Sequence, residues 1–251
     1  MNDAAMTPAA DLSFPAISSE SLASVPLLAQ ADLLLASARL FRPPAADLAA
    51  LTGELAAAAG ALVSAANLPA VHMVVVDILA DLARVVATTP PDDLSIEYVR
   101  LFEGEMVCPP NETAYIRRDK GAVLGDIAGF YRTFGVATAS SEKPDHVAAE
   151  LEFMAALLVM QATATTAEQA EIARDALSLF VADHAGDWLP PFAARLAAVA
   201  IVPVYQQAAA LLAAVWHGMA AVQGFAVPEL LPNGESELSY EMSCGPMPRK
   251  G

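Results

Sequence analysis

Two cysteines, Cys108 and Cys244, are all that the 251 residues contain. They stand far apart and form no CxxC pair, which excludes a zinc ribbon, an iron–sulfur site and a disulfide framework, and points to a reducing compartment. Basic residues are also scarce. Thirteen Lys and Arg face 29 Asp and Glu, for a net charge of -16. A surface that acidic does not suit phosphate binding, so nucleic acid is not an expected partner; the charge suits a basic partner such as a cationic peptide, or serves only to keep an Ala-rich chain soluble. Aromatic residues make up only 6%. No alternating strand pattern or hairpin turn signal stands out. The 56% hydrophobic content is dominated by Ala and Leu, the strongest helix formers, and implies an all-α chain able to bury a large core.

Catalytic signatures are missing as well. No GxGxxG, GxxxxGK[ST] or GxSxG occurs. Of the four histidines, His72, His146, His184 and His217, no two lie four residues apart, so an HExxH zinc site is excluded and no metal site is expected. Met1 to Glu20 carries Asp3, Asp11 and Glu20 without a Lys or Arg, which does not read as an export signal. One uncharged run, 196–228, is long enough to span a bilayer. It contains Pro203, Gln206, Gln207, His217 and Gln223 and no closely flanking basic cluster, so a buried core helix is expected instead.

What is present reads as a single-domain bundle of about nine to ten helices. Residues 1–25 are expected to be a mobile N-terminal segment, 26–227 the helical domain, and 228–251 an acidic, mobile tail. Pro26 opens the first helix by this reading, and Pro69 and Pro144 open later ones as first-turn residues. A loop over 104–120 surrounds Cys108–Pro109–Pro110. Gly135 is an expected C-terminal stop, and Thr165/Thr166 with Glu168/Gln169 offers a capping box. Gly121, Gly125 and Gly129 lie one turn apart, a spacing that suggests close helix packing. Trp188 and Trp216 are expected in the core. Glu150 falls four residues after His146, on one helix face if both are helical, so the two could share acid–base work or simply cap and solvate a helix start.

Five segments carry a resemblance. Glu97-Tyr98-Val99-Arg100-Leu101-Phe102 is similar to an EYxRLF segment, and Cys108-Pro109-Pro110-Asn111-Glu112-Thr113-Ala114-Tyr115 to a PPxxSxY loop in its CPPxE form. The run 126–135 contains FYxxxG, Pro144-Asp145-His146 with Glu150-Leu151-Glu152-Phe153-Met154 resembles PDHxxxELxFM, and Phe180, His184, Trp188 and Phe192 match FxxxHxxxWxxxF. In this order they resemble the TorD/DmsD/NarJ family of molybdoenzyme assembly chaperones. Thr113 stands where Ser is usual and Asn111 where an aromatic is common. The CPPxE loop is similar to that of the branch serving dimethyl-sulfide, selenate, chlorate or ethylbenzene-type oxidoreductases.

The resemblance implies an all-helical, non-enzymatic, cytoplasmic chaperone without a cofactor of its own, a monomer or homodimer without stable membrane insertion. Its partner would be a molybdopterin oxidoreductase catalytic subunit, bound in its apo form and by its twin-arginine leader. By the same analogy Asp145 and His146 take part in leader binding, with Tyr98, Leu101, Phe102 and Tyr131 forming a neighbouring apolar surface. Glu112, Glu150 and Glu152 join Asp145 as acidic partners for the leader arginines. The alternative is a helical small-molecule or nucleotide-dependent enzyme using His146 with Glu150 or Glu152.

Overall fold

The computed structural model describes residues 19–66, 70–137 and 142–225. The regular secondary structure of the described residues is all helical, with no strand among them. The order is α1 (Ser19–Leu40), α2 (Leu48–Ala66), α3 (Ala70–Thr88) and α4 (Pro91–Tyr98), which runs on into a π-helical turn (Val99–Glu103). A 3-10 turn (Glu112–Ala114) precedes α5 (Lys120–Thr133) and α6 (Val147–Ala162). Then α7 (Ala167–Phe180), a second π turn (Val181–Ala185) and α8 (Gly186–Val199) form one continuous helical run, and α9 (Pro203–Gln223) follows.

Helix α6 lies at the centre, packed on α1 and α7, while α9 packs on α3, α8 and α1, and α2 pairs with α3. The central place of α6 follows from its composition. Val147, Ala148, Leu151, Phe153, Met154, Leu157 and Leu158 are all inaccessible to solvent, so the helix is apolar around most of its circumference and needs neighbours on several sides.

Several boundaries follow the sequence reading. Gly135 stands at φ 69°, with Val136 N–H donating to Tyr131 O (2.8 Å) and Gly135 N–H to Arg132 O (3.2 Å), a Schellman stop that a residue with a Cβ would strain. Thr166 Oγ1 accepts from Gln169 N–H (3.2 Å), while Gln169 Oε1 accepts from Thr165 N–H (3.0 Å).

Others differ. Helix α1 begins at Ser19, with Pro26 inside it. The early turns are held by tertiary contact, Ser24 Oγ donating to Ala162 O at the end of α6 (3.0 Å). Pro144 does not open α6; His146 is its N-cap. The Pro144 carbonyl accepts from the Tyr131 hydroxyl (2.8 Å) and the Asp145 carbonyl from Glu112 N–H (3.0 Å), so both point away from a helical path. Residues 1–18 and 226–251, which hold most of the expected mobile ends and Cys244, lie outside the described residues. The uncharged run 196–228 is broken between α8 and α9, and no helix among the described residues is long and apolar enough to cross a membrane.

The glycines 121, 125 and 129 do not serve close packing. A Cβ at Gly125 would meet nothing within 4 Å, and at Gly121 and Gly129 it would meet only side-chain atoms of Asp119 and Arg132.

Candidate functional site

Two loops, one before α5 and one before α6, are laced together by backbone bonds. Glu112 N–H donates to Asp145 O (3.0 Å) and Val147 N–H to Pro110 O (2.8 Å), forming an isolated antiparallel bridge between Asn111 and His146. The prolines before Asn111 explain the shape. Pro109 and Pro110 fix φ and offer no N–H, so the strand-like segment presents carbonyls. The Asp145 side chain completes the lacing. It is fully buried, and it accepts from Asn111 Nδ2 (3.0 Å), Thr113 N–H (3.2 Å) and Thr113 Oγ1 (2.7 Å). A carboxylate so supplied with donors tolerates burial. Asn111 and Thr113, the two departures from the family pattern, are thus both partners of Asp145.

Beneath the lacing lies a second polar layer. Glu112, Glu150 and His184 are inaccessible to solvent. Glu112 accepts from Arg118 Nη2 (3.0 Å), and both of its oxygens lie 3.2 Å from His184 Nδ1. Glu150 Oε2 accepts from Trp188 Nε1 (2.9 Å), no donor reaches Oε1, and the carboxyl lies in hydrogen-bonding contact with that of Glu112. Burial, and then the charge of Glu112, push the Glu150 carboxyl well above the usual carboxylate range, which favours its neutral form. Burial likewise raises the Tyr131 phenol.

Phe180, His184, Trp188 and Phe192 all face this interior. Residues four apart on a regular helix drift by about 40° per step. The π turn Val181–Ala185 holds an extra residue and turns the row back toward the core. Gly186 closes that turn, its N–H donating to Val181 O. A Cβ there would stand 2.7 Å from Val181 O, so the turn needs glycine for close approach rather than for unusual φ.

The outer surface of the lacing is different. Arg42, at the end of α1, donates through Nη2 to Glu142 Oε2 (2.7 Å), and through Nη1 and Nη2 to Glu152 (2.5 and 3.0 Å). His146 Nδ1 accepts from Ala148 N–H (3.2 Å) and lies 3.3 Å from Glu142 Oε1. Burial lowers the His146 pKa despite Glu142, in keeping with a neutral ring that caps α6 through a lone pair.

The nine residues of the expected leader site therefore divide. Asp145, Glu112, Glu150 and Tyr131 are brought together, but inside the protein. His146 and Glu152 reach the surface, beside Glu142. Tyr98, Leu101 and Phe102 lie in the core, where Phe102 packs on Phe41, Tyr98, Phe192 and Tyr205; the exposed apolar residues of that segment are Ile96 and Val99. His146 and Glu150 do not pair. His146 precedes the helix and turns to Glu142, whereas Glu150 turns to Trp188, so the His146–Glu150 form of the enzymatic alternative is not assembled; Glu152 is bonded to Arg42.

Sequence reasoning missed Arg42, Glu142, Arg118 and Asp126. Glu142, just before Pro144-Asp145-His146, was within reach of the motif; Arg42 gave no local signal, because its partners lie 100 and 110 residues away.

The remaining motif, Glu97 to Phe102, is anchored the same way. Burial alone would raise the Glu97 carboxyl, but bonds from Arg100 and from Ile201 N–H (2.7 Å) outweigh it and lower its pKa. Arg100 also donates to Val199 O (2.7 Å), so the pair fastens α4 to the corner between α8 and α9.

No curated protein matches the chain significantly. The family model for the nitrate reductase delta subunit matches residues 69–194, half of the chain, and that span holds the bonds that lace the two loops and the buried layer beneath them, though not Arg42 on their outer face. The chain belongs to the nitrate reductase delta subunit family, the NarJ/TorD-type chaperones of molybdoenzyme maturation.

Proposed function

We propose that this chain binds the twin-arginine leader and the apo form of a molybdopterin oxidoreductase catalytic subunit, holds it in the cytoplasm while its cofactor is inserted, and then releases it for export. Leader recognition is assigned to the outer face of the laced loops. The observation that carries this reading is the pair Glu142 and Glu152 beside His146, with the guanidinium of Arg42 seated across both carboxylates. A corner that already holds one arginine in this way has the chemistry that a leader arginine requires. In this reading Asp145, Glu112, Glu150 and Tyr131 act from beneath by fixing the loop, and Tyr98, Leu101 and Phe102 support the exposed Ile96 and Val99, which meet the leader's apolar stretch.

Titration calorimetry with leader peptides from molybdoenzymes tests the reading. Saturable binding that weakens with salt is expected, as is a loss of affinity in Glu142→Gln with little change in melting temperature, and in His146→Ala a loss larger than the ~1 kcal/mol that removing the N-cap of α6 costs in stability. Absence of binding both to such peptides and to the full apo subunit overturns it.

A further inference from the structure

The corner formed by Glu142 and Glu152 is already full. Arg42 donates through Nε to Glu142 Oε1 (3.3 Å) and through Nη1 to Glu152 Oε1 (2.5 Å). Its Nη2 donates to Glu142 Oε2 (2.7 Å) and to Glu152 Oε2 (3.0 Å). Four guanidinium N–H groups are used, and each of the four carboxylate oxygens has a donor. A second guanidinium would reach only the outer lone pairs, against the charge of Arg42, and would lose the paired bonds that make such sites strong.

The way Arg42 is mounted lets it leave. Its backbone is held in place: Phe41 is fully buried against Phe102 and Phe192, and Arg42 N–H donates to Arg39 O (3.4 Å). The side chain is 31% exposed and that of Glu152 37%, so the guanidinium can swing into water by rotating about its own bonds while the helices stay put. The corner would then favour another cation. Glu142 and Asp145 lie near His146 with Arg42 and Lys143, and Glu152 is bonded to Arg42. Without Arg42, three carboxylates remain against one lysine.

We propose that Arg42 is an internal occupant of the leader-arginine site, and that a leader arginine binds by displacing it from Glu142 and Glu152. The proposal rests on the leader-binding reading above and names the residue that regulates that site. A half-exposed ion pair of ordinary strength favours the closed arrangement by about two- to fivefold. An internal competitor lowers the affinity of every ligand by the same fraction, so Arg42 weakens binding about three- to sixfold, alike for arginine and lysine.

The test has two readouts. In the first, leader peptides carrying Arg-Arg and Lys-Lys are titrated into wild type, Arg42→Ala and Arg42→Gln, the last serving if Arg42→Ala melts below the assay temperature. Both peptides should bind the variants about three- to sixfold more tightly than wild type, with the preference for arginine unchanged. A purely structural Arg42 predicts the opposite sign, since loosening the corner would cost affinity. In the second, the Arg42 Nε–H resonance, identified by its loss in Arg42→Ala, is followed while leader peptide, or separately N-methylguanidinium, is added at constant ionic strength. It should move to the position of a solvent-exposed arginine. Equal or weaker leader binding by both variants, or an Arg42 resonance unmoved at saturating leader, overturns the proposal and leaves leader binding standing. Where no leader binds, N-methylguanidinium decides: displacement of Arg42 upholds the exchange while the leader reading falls, and an unmoved resonance overturns both.

Discussion

Gly186 offers a sharp test of the run that carries His184 and Trp188. Replacement by Ala places a Cβ 2.7 Å from the Val181 carbonyl oxygen, which belongs to the backbone of the π turn and cannot rotate aside. Relief requires the turn to open by several tenths of an ångström, and both ends of it are packed, with His184 and Trp188 inaccessible to solvent. Overpacking of that kind costs about 1–3 kcal/mol. Gly→Ala in a helix also returns about 1 kcal/mol of propensity, which blurs the single measurement. Gly125→Ala supplies the control, because it gains the same propensity where a Cβ meets nothing within 4 Å. The difference between the two variants isolates the crowding, about 1–3 kcal/mol, or roughly 2–12 °C in melting temperature for a domain of this size. Thermal unfolding followed by far-UV circular dichroism, with urea titration as a second measure, reads it directly. Gly186→Ala melting with or above Gly125→Ala would refute the close approach and, with it, the π geometry that turns His184 and Trp188 inward.

Further outcomes follow from the buried layers. Asp145→Ala strips the acceptor from Asn111 and Thr113 and should destabilise the protein by about 2–4 kcal/mol in urea titration, so any loss of leader binding there is to be read against unfolding. Glu150→Gln tests the raised carboxyl. The folded state holds that proton more tightly than the unfolded chain, so the associated stability is complete below the ordinary carboxyl value near ~4.3 and is lost as pH rises toward the higher folded value. The variant should therefore gain on wild type between pH 5 and pH 8, and identical pH slopes would count against a neutral Glu150. A double-mutant cycle of Arg42→Ala with Glu152→Gln should give a coupling of about 0.5–1 kcal/mol that shrinks in high salt, as for a half-exposed pair.

The helical class was legible from Ala and Leu, and the stops at Gly135 and the cap at Thr166 from local chemistry, because each acts within one turn. What failed to read out depends on distant partners. Pro144 has the credentials of a helix start, yet the Tyr131 hydroxyl holds its carbonyl away from the helix. Glu112, Asp145 and Glu150 look like an acidic rim in one dimension, and their burial follows from donors 72, 34 and 38 residues away in His184, Asn111 and Trp188. The π turns carry no signal of their own beyond a glycine that closes each, Gly104 bonding to Val99 O and Gly186 to Val181 O. His184 was visible as part of a motif, but its neighbour Asp126, 3.4 Å from Nε2, was not.

That division bears on what the motifs are for. The CPPxE loop, the PDH turn, the ELxFM helix and the FxxxHxxxWxxxF row meet in one buried network, in which Asp145 holds Asn111 and Thr113, Glu112 holds His184 and Arg118, and Glu150 holds Trp188. A buried polar network of this kind admits few alternative registers, since shifting any element by one residue would strand a carboxylate without its donors. The motif letters therefore set the relative position of two loops and three helices. In the proposed reading, contact with a partner falls to what these elements carry outward, Glu142, Glu152 and His146. On that reading, a screen for client choice belongs at positions 142 and 152 rather than at the buried carboxylates that make the motifs recognisable.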